Sequence, residues 1–220
     1  MNFQWLNQAT PCPVVEFHDV RCEKFRADKY LALVENGLAV PLAIAGASSL
    51  GQFRVENHPE RVMLVRGFAS MPARRKALTA FHASEEWAAH RCALTDLVRE
   101  QSVMLTRAIR PEEGIRPIRP GESVTVLISE VRFAEQIGNY HLWLRLFLRK
   151  AGLDPLASFA TLEHVNDVPA VPVVRNRSQH IALLPGDGGG GVPALPVELR
   201  NMLRFPPETL RLEPAVSLVW

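Results

Sequence analysis

Two matching pairs of charged residues are the groups in this sequence best suited to chemistry. Asp19 and Arg21 stand two residues apart, and so do Glu130 and Arg132. Side chains two residues apart on a strand share one face, so each carboxylate would lie beside its own guanidinium. Facing a cavity, Arg21 and Arg132 could bind an organic anion while Asp19 or Glu130 moves protons. The alternative is a structural ion pair between packed sheets, since buried charges usually persist in pairs.

Two histidines are further candidates for proton transfer. His18 would pair with Glu16 on the strand face opposite Asp19, and a neighbouring carboxylate can tune an imidazole as a base. Because helices should cover one of these faces, a bulge near His18 would let both pairs be accommodated. His82 could project into a pocket from its helix, the alternative being a solvated helix residue.

Three more residues could contribute to binding. Arg54 and Arg66 lie on neighbouring predicted strands and would add positive potential to a cavity, or else lie on the surface. Trp87 could line the pocket, although a core or interface position is the simpler interpretation.

No metal or cofactor is predicted. The seven histidines show no HxH or HExxH spacing, and the three cysteines form no CxxC pair. The glycine-rich stretch 186–191 lacks the Lys-Ser/Thr of a phosphate-binding loop. We interpret it as a mobile surface loop, with a lid over a cavity mouth as the alternative.

The spacing of apolar residues predicts the order β-α-β-β-α-β twice over. The first set comprises a strand at 14–21, a helix at 28–44, a hairpin at 50–68, a helix from Ser70 to about Arg99 with a break near Ser84, and a strand at 103–109. The second comprises a strand at 124–133, a helix at 137–151, strands at 158–164 and 179–184, a short helix at 195–203 and a strand at 210–219. The proline-rich stretch 110–121 predicts a linker between domains at 1–110 and 121–220.

The two halves also match locally, since Asp19-Val20-Arg21 corresponds to Glu130-Val131-Arg132 at the end of each first strand. An internal repeat of this kind is a strong architectural indication.

Residues 61–90 closely resemble the pattern of the NIPSNAP family. That pattern has a strand ending in Arg-Gly-Phe, an R-x-x-A-L-x-x-F helix and a downstream Trp. Here we match them to Arg66-Gly67-Phe68, to Arg75, Ala77, Leu78 and Phe81, and to Trp87. The acid-x-Arg pairs resemble a pair that the family often carries on its first strand.

The resemblance implies an α+β fold of tandem ferredoxin-like βαββαβ repeats that form an intrachain dimeric α+β barrel. In that group helices cover one sheet face, and the other face meets a partner sheet around a cavity. By this analogy Asp19 and Arg21 point inside. Related barrels include cofactor-free oxygenases, haem proteins and isomerases, so the fold leaves the chemistry open.

Composition is that of an ordinary globular chain of 220 residues, with 47% hydrophobic residues and a net charge of +2. The near balance of charges predicts neither a nucleic-acid nor a membrane partner. No signal-peptide pattern begins the chain, and three scattered cysteines fit a reducing cytoplasm. Abundant Ala, Arg and Pro suggest a bacterial source, and a homodimer is possible.

These observations together predict a small-molecule-binding barrel for an organic anion or an aromatic metabolite. If it is an enzyme, the resemblance implies a cofactor-independent oxygenase or isomerase. The alternative is a non-enzymatic interaction or scaffold protein, which predicts a filled cavity and an exposed apolar patch. A haem-binding barrel is the weaker alternative.

Overall fold

The structure, a computed structural model, describes residues 12–110, 123–186 and 191–215. Its first half contains four strands and a helical layer. The strands are β1 (Val14–Cys22), β2 (Ser48–Val55), β3 (His58–Phe68) and β4 (Val98–Ala108). The helices are α1 (Ala27–Leu33), α2 (Ala39–Ile44), α3 (Met71–His82) and α4 (Glu85–Leu97), with one π-helical turn (Val34–Leu38) joining α1 to α2.

The second half repeats the order with fewer helices. Its strands are β5 (Val124–Glu130), β6 (Ala157–Thr161), β7 (Gln179–Pro185) and β8 (Glu208–Pro214). Its helices are α5 (Ile137–Lys150), which a short 3-10 turn (Ala134–Gln136) precedes, and α6 (Val197–Asn201).

The eight strands close into one barrel in the order β1-β3-β2-β8-β5-β7-β6-β4. Each half therefore contributes a sheet with the ferredoxin-like order, β4-β1-β3-β2 and β8-β5-β7-β6. Antiparallel pairs β2–β8 and β4–β6 join the two sheets. This arrangement confirms the predicted α+β barrel built within one chain. The predicted division at 110–121 falls largely outside the described residues and stays a prediction.

The barrel interior is filled with apolar side chains. Residues alternate along each strand, and the inward set from both halves forms one buried cluster. Phe17 of the first half and Phe159 of the second meet edge to face with ring centroids 5.2 Å apart. The predicted ligand cavity between the two sheets is therefore replaced by a packed core.

Local signals explain most of the helix boundaries. The Ser70 hydroxyl accepts a hydrogen bond from the Ala73 N–H, as expected of an N-cap ahead of Pro72. The predicted break near Ser84 is the start of α4, since Ser84 caps the Trp87 N–H. Pro41 lies in the first turn of α2, where its missing N–H costs little.

Several predicted strand ends were wrong because sheet pairing overrides local propensity. Strand β5 ends at Glu130 rather than 133. Strand β4 begins at Val98 rather than 103, because residues as far as Val98 pair with β1. Strand β6 ends at Thr161 rather than 164. Strand β8 begins at Glu208 and ends at Pro214, and the predicted continuation over 216–219 lies outside the described residues. None of the helices in the described ranges has the length and apolar character needed to cross a membrane.

Candidate functional site

A cavity of about 210 Å³ lies between the sheet and the helices of the first half, outside the barrel. We call it the first-half cavity. Its walls come from β1 to β4, from the helical layer and from residues 170–172 of the second half. Much of the wall is apolar, including Leu38, Leu42, Phe81 and Leu94. Four of the predicted site residues line it: His18, Arg66, His82 and Trp87.

A buried ionic cluster lies behind Arg66, the member of the cluster that lines the cavity. Glu16 is fully buried on β1, and it faces Arg66 across the β1–β3 ladder with an ion-pair distance of 2.9 Å. Its other oxygen accepts a hydrogen bond of 2.6 Å from Nε of Arg74, which is also fully buried. Arg74 in turn pairs with Asp167 at 3.0 Å. A buried carboxylate held by two guanidiniums fixes Arg66 at the cavity wall.

His18 and His82 place two neutral imidazoles in this wall. Burial lowers the pKa of His18 to about 3, and the charge of Arg66 acts in the same direction, whereas a hydrogen bond with Gln101 opposes it. Burial also lowers the pKa of His82, again with Arg66 contributing, while Leu78 and Glu16 oppose the shift. Both rings therefore carry a free lone pair at neutral pH.

Gln101 and Trp87 orient the two rings. The Nε2 atom of His18 lies 3.0 Å from Oε1 of Gln101, so a proton donated to this oxygen leaves the lone pair on Nδ1. His82 packs edge-on against Trp87, with centroids 4.8 Å apart. Nearby, burial raises the pKa of Tyr30, which keeps its phenol protonated.

Strand β1 is regular through His18, so the expected bulge is absent at that position. The one register shift of β1 is between Arg21 and Cys22, against β4. Glu16 and His18 accordingly face the helices, and Asp19 and Arg21 lie on the barrel face. The charge of Glu16 is tolerated on the helix-facing side because Arg66 and Arg74 pair with it, and His18 faces the cavity.

The two arginines predicted to anchor an anion lie elsewhere, which corrects that prediction. Arg21 is exposed and approaches Glu100 at 3.7 Å. Arg132 is exposed and donates to the Leu203 carbonyl at 2.9 Å. Neither reaches a cavity between the sheets, because side chains fill that space.

The remaining predicted residues hold structural ion pairs. Asp19 accepts two hydrogen bonds from Arg61, which also binds Glu208 of β8 and so ties the halves together. Glu130 is paired with Arg204 at 3.2 Å and lies near Arg177. Arg54 binds Asp28 of α1. The predicted pairing of each acid with its own i+2 arginine was therefore wrong, since cross-strand partners lie closer.

Sequence reasoning missed the central part of the site. Glu16 was considered only as a partner of His18, and Gln101 and Asp167 carried no local signal. Arg74 could have been found, because an R-x-x-A-L-x-x-F pattern ending at Phe81 starts at Arg74 and not at Arg75. In the structure Arg74 is fully buried and Arg75 is exposed.

The second half has lost the equivalent charges. In the β5–β7 ladder, Leu127 pairs with Ala182 where β1 and β3 have Glu16 and Arg66. Ser129 stands at the position of His18 and accepts a hydrogen bond from the Tyr140 hydroxyl at 2.7 Å. Apolar side chains of α5, α6 and the sheet form a buried cluster on the corresponding face of the second half.

Metal and haem fit the site poorly. Across the described ranges, no three His, Cys, Asp or Glu side chains converge as metal ligands. The first-half cavity, at about 210 Å³, is smaller than the roughly 300–1,000 Å³ of pockets that hold drug-sized ligands. A haem is larger still, so the haem-binding alternative is disfavoured by size.

Comparisons with known proteins agree with this architecture. No protein-family model matches the sequence, and no curated protein matches it significantly. An anthrone oxidase-like protein of known structure superposes with a TM-score of 0.61 over 94% of this chain and 93% of its own, at 10% identity. A proposed monooxygenase from Lactobacillus acidophilus gives 0.56 over 91% and 93%, at 12% identity.

NIPSNAP-domain proteins are also among the structural neighbours. One from Burkholderia xenovorans aligns with 42% of this chain and 90% of its own, with a TM-score of 0.39 and 13% identity. Proteins of the family named by the sequence resemblance are thus among the solved structures similar to part of this chain. The two full-length likenesses show that the chain has the dimeric α+β barrel fold, with both sheets supplied by one polypeptide.

Proposed function

We propose that the chain binds a small, neutral and weakly acidic aromatic molecule in the first-half cavity and removes a proton from it without a cofactor. The observation that carries this proposal is that Arg66 and two neutral imidazoles, His18 and His82, line one largely apolar cavity. His82 can accept the proton, His18 can accept a hydrogen bond from the ligand, and the Arg66 guanidinium stabilises the anion that forms.

The charge of the site favours a neutral ligand over the organic anion first expected. In the ionic cluster two carboxylates, Glu16 and Asp167, balance two guanidiniums, Arg66 and Arg74. Arg91 also lines the cavity, but it is exposed, so solvent screens its charge. A ligand that arrives as an anion would add an uncompensated charge to a buried site. A weak acid that gives its proton to His82 leaves the net charge unchanged.

The size and lining of the cavity favour an aromatic molecule. An apolar cavity of about 150 Å³ binds benzene, so about 210 Å³ has room for one or two fused rings. Phe81 and Trp87, whose ring centroids are 5.3 Å apart, offer an aromatic wall.

Binding of 2-naphthol and 2-naphthoate by calorimetry tests the proposal. We expect 2-naphthol to bind and 2-naphthoate to bind at least about tenfold more weakly, because only the second carries a charge into the site. Arg66→Gln should weaken 2-naphthol binding by roughly tenfold, since it removes a charged hydrogen-bond donor. Arg54→Gln, on the neighbouring strand, is the matched control. Tighter binding of the carboxylate would contradict the neutral-acid proposal, and no binding of either would contradict the ligand site.

Oxygen uptake with 2-naphthol tests the reaction. The names of the two full-length neighbours motivate an oxidation by O₂, and 2-naphthol is a two-ring weak acid of the size that the cavity admits. It loses its hydroxyl proton to give an anion that O₂ oxidises. One 2-naphthol and one O₂ give one 1,2-naphthoquinone and one water, so no further reductant is needed. Replacing the base, by His82→Gln, should lower the rate by roughly 100-fold or more, whereas the exposed His58→Gln should not. A rate no faster than in buffer would remove the oxidation and leave the binding proposal standing.

The scaffold alternative keeps two observations in its favour. The barrel interior is filled, and α5 presents exposed Leu142, Trp143 and Leu146. The scaffold function would be preferred if neither 2-naphthol nor 2-naphthoate binds. Light scattering on the purified chain would then test the possible homodimer. The cytoplasmic location and bacterial source stay predictions.

A further inference from the structure

The connection between β6 and β7, residues 162–178, leaves the second half and lies along the first. We call it the strap. Its backbone continues beside β4, where the Val103 N–H donates to the Pro172 carbonyl and the Val174 N–H donates to the Val103 carbonyl, both at 2.9 Å. Just before these contacts the strap passes against the helices of the first half. Val168 and Val171 are buried there against side chains of α3 and β4.

The turn of the strap closes one side of the first-half cavity. Ala170, Val171 and Pro172 belong to the cavity lining. The turn is held in place from within, because the Asn166 side chain donates to the Val171 carbonyl at 2.7 Å and accepts from the Val168 N–H at 3.2 Å. Because its own hydrogen bonds hold the turn, it forms a fixed wall of the first-half cavity.

One charged residue of the strap, Asp167, belongs to the ionic cluster. Asp167 pairs with Arg74 at 3.0 Å, Arg74 binds Glu16 at 2.6 Å, and Glu16 pairs with Arg66 at 2.9 Å. The first and last members of this chain of alternating charges belong to different halves. Removing Asp167 would leave two guanidiniums to share the single carboxylate of Glu16.

We propose that the second half controls the ligand preference of the first, with Asp167 as a positioning residue that sets the net charge sensed at Arg66. The inference rests on the proposed function of the cavity. In its wild-type form the strap neutralises the cluster, so the site takes uncharged weak acids. Without the Asp167 charge, Glu16 is drawn toward Arg74, and Arg66 is free to bind an anion.

A difference between the two halves of the chain supports the proposal that the second half controls the first. In the first half, β2 and β3 are joined by a tight turn with Asn57 at φ 63°, which is too short to reach across the barrel. The strap thus belongs to the second half, whereas the cavity belongs to the first. The strap of the second half therefore forms part of the wall of the cavity in the first half.

The ratio of 2-naphthol to 2-naphthoate affinity in the full chain tests the proposal. Asp167→Asn should shift this ratio toward the carboxylate by about tenfold, because a charge-assisted contact of this size changes affinity by that order. Asp167→Glu should restore the wild-type ratio. Glu163→Gln, an exposed residue of the same strap, is the matched control and should leave it unchanged.

The ratio separates electrostatic positioning from a merely structural role. If the substitution only loosened the strap, the binding of both ligands would weaken equally and the affinity ratio would not change. An unchanged ratio would therefore overturn the proposal. Failure of the wild-type chain to bind either ligand would instead overturn the proposed function. As a second variant, Ala170→Trp should lower 2-naphthol affinity by narrowing the cavity, whereas Val165→Trp, 76% exposed on the same strap, should not. Equal effects of the two would contradict the strap as a cavity wall.

Discussion

Replacing Glu16 with leucine is expected to lower the free energy of unfolding by about 3–5 kcal/mol, the loss typical of breaking a buried ion pair by removing one partner. Glu16 and Arg74 are fully buried, and Arg66 is 12% exposed. The carboxylate is shared by both guanidiniums, so its removal leaves positive charge in a site that water scarcely reaches. Urea denaturation monitored by circular dichroism measures the change, with the exposed Glu23→Gln as the control.

The second half of the chain supplies the compensating variant. Leu127 and Ala182 occupy the positions of Glu16 and Arg66, so the double substitution Glu16→Leu and Arg66→Ala copies a pair that the fold already accepts. We expect the double variant to recover part of the stability lost by Glu16→Leu, because Arg74 keeps Asp167 as a partner. If the double variant loses as much stability as Glu16→Leu alone, or the sum of the losses of the two single variants, the cluster does not act as a unit.

Acidification is expected to destabilise the protein through two buried histidines. Burial lowers the pKa of His18 to about 3, from an ordinary value of 6.5, with Arg66 adding to the shift and Gln101 opposing it. Burial lowers the pKa of His180 to about 3 as well, with a contribution from His141, whose Nδ1 lies 3.1 Å from Nε2 of His180. The unfolded chain therefore binds more protons than the folded one at acidic pH.

The sign and the pH range of the effect follow from these values. The stability is fully present above the unfolded pKa of 6.5 and is lost as the pH falls toward about 3. Each histidine contributes a slope of about 1.4 kcal/mol per pH unit within that range. Melting temperature as a function of pH measures the slope.

Matched variants assign the slope to particular histidines. His18→Gln and His180→Gln should each flatten the pH dependence between 6.5 and 3, whatever they do to stability at neutral pH, because each removes one group that takes up a proton on unfolding. His58→Gln, an exposed histidine in the β2–β3 turn, should leave the slope unchanged. A wild-type slope in both buried-site variants would show that carboxylates alone control acid unfolding.

Local sequence patterns were sufficient for the order of the elements. Alternation along β1 and the helical stripe of α5 depend on residues within one element, and Ser70 and Ser84 act on N–H groups three residues away. The duplicated Asp-Val-Arg and Glu-Val-Arg steps also identified the repeat. Element ends were less predictable, because β4 is extended to Val98 by pairing with β1.

The site depended on distant contacts that no local pattern contains. His18, Arg66, His82 and Trp87 were each recognised as suited to chemistry, and the fold brings these four to one cavity. Asp19 and Arg21 were the more regular motif, yet Asp19 binds Arg61, distant in sequence and adjacent in the barrel.

The amino-acid sequence by itself determined a twofold βαββαβ chain, since periodicity and capping are short-range properties. Only the tertiary structure decided that the barrel is packed solid and that the cavity lies under the helices of one half. The physical reason is that a buried charge is stable only beside its partners. Glu16 meets Arg66 and Arg74 when β1, β3 and α3 of the first half pack together, and Arg74 meets Asp167 of the other half when the eight strands close into the barrel.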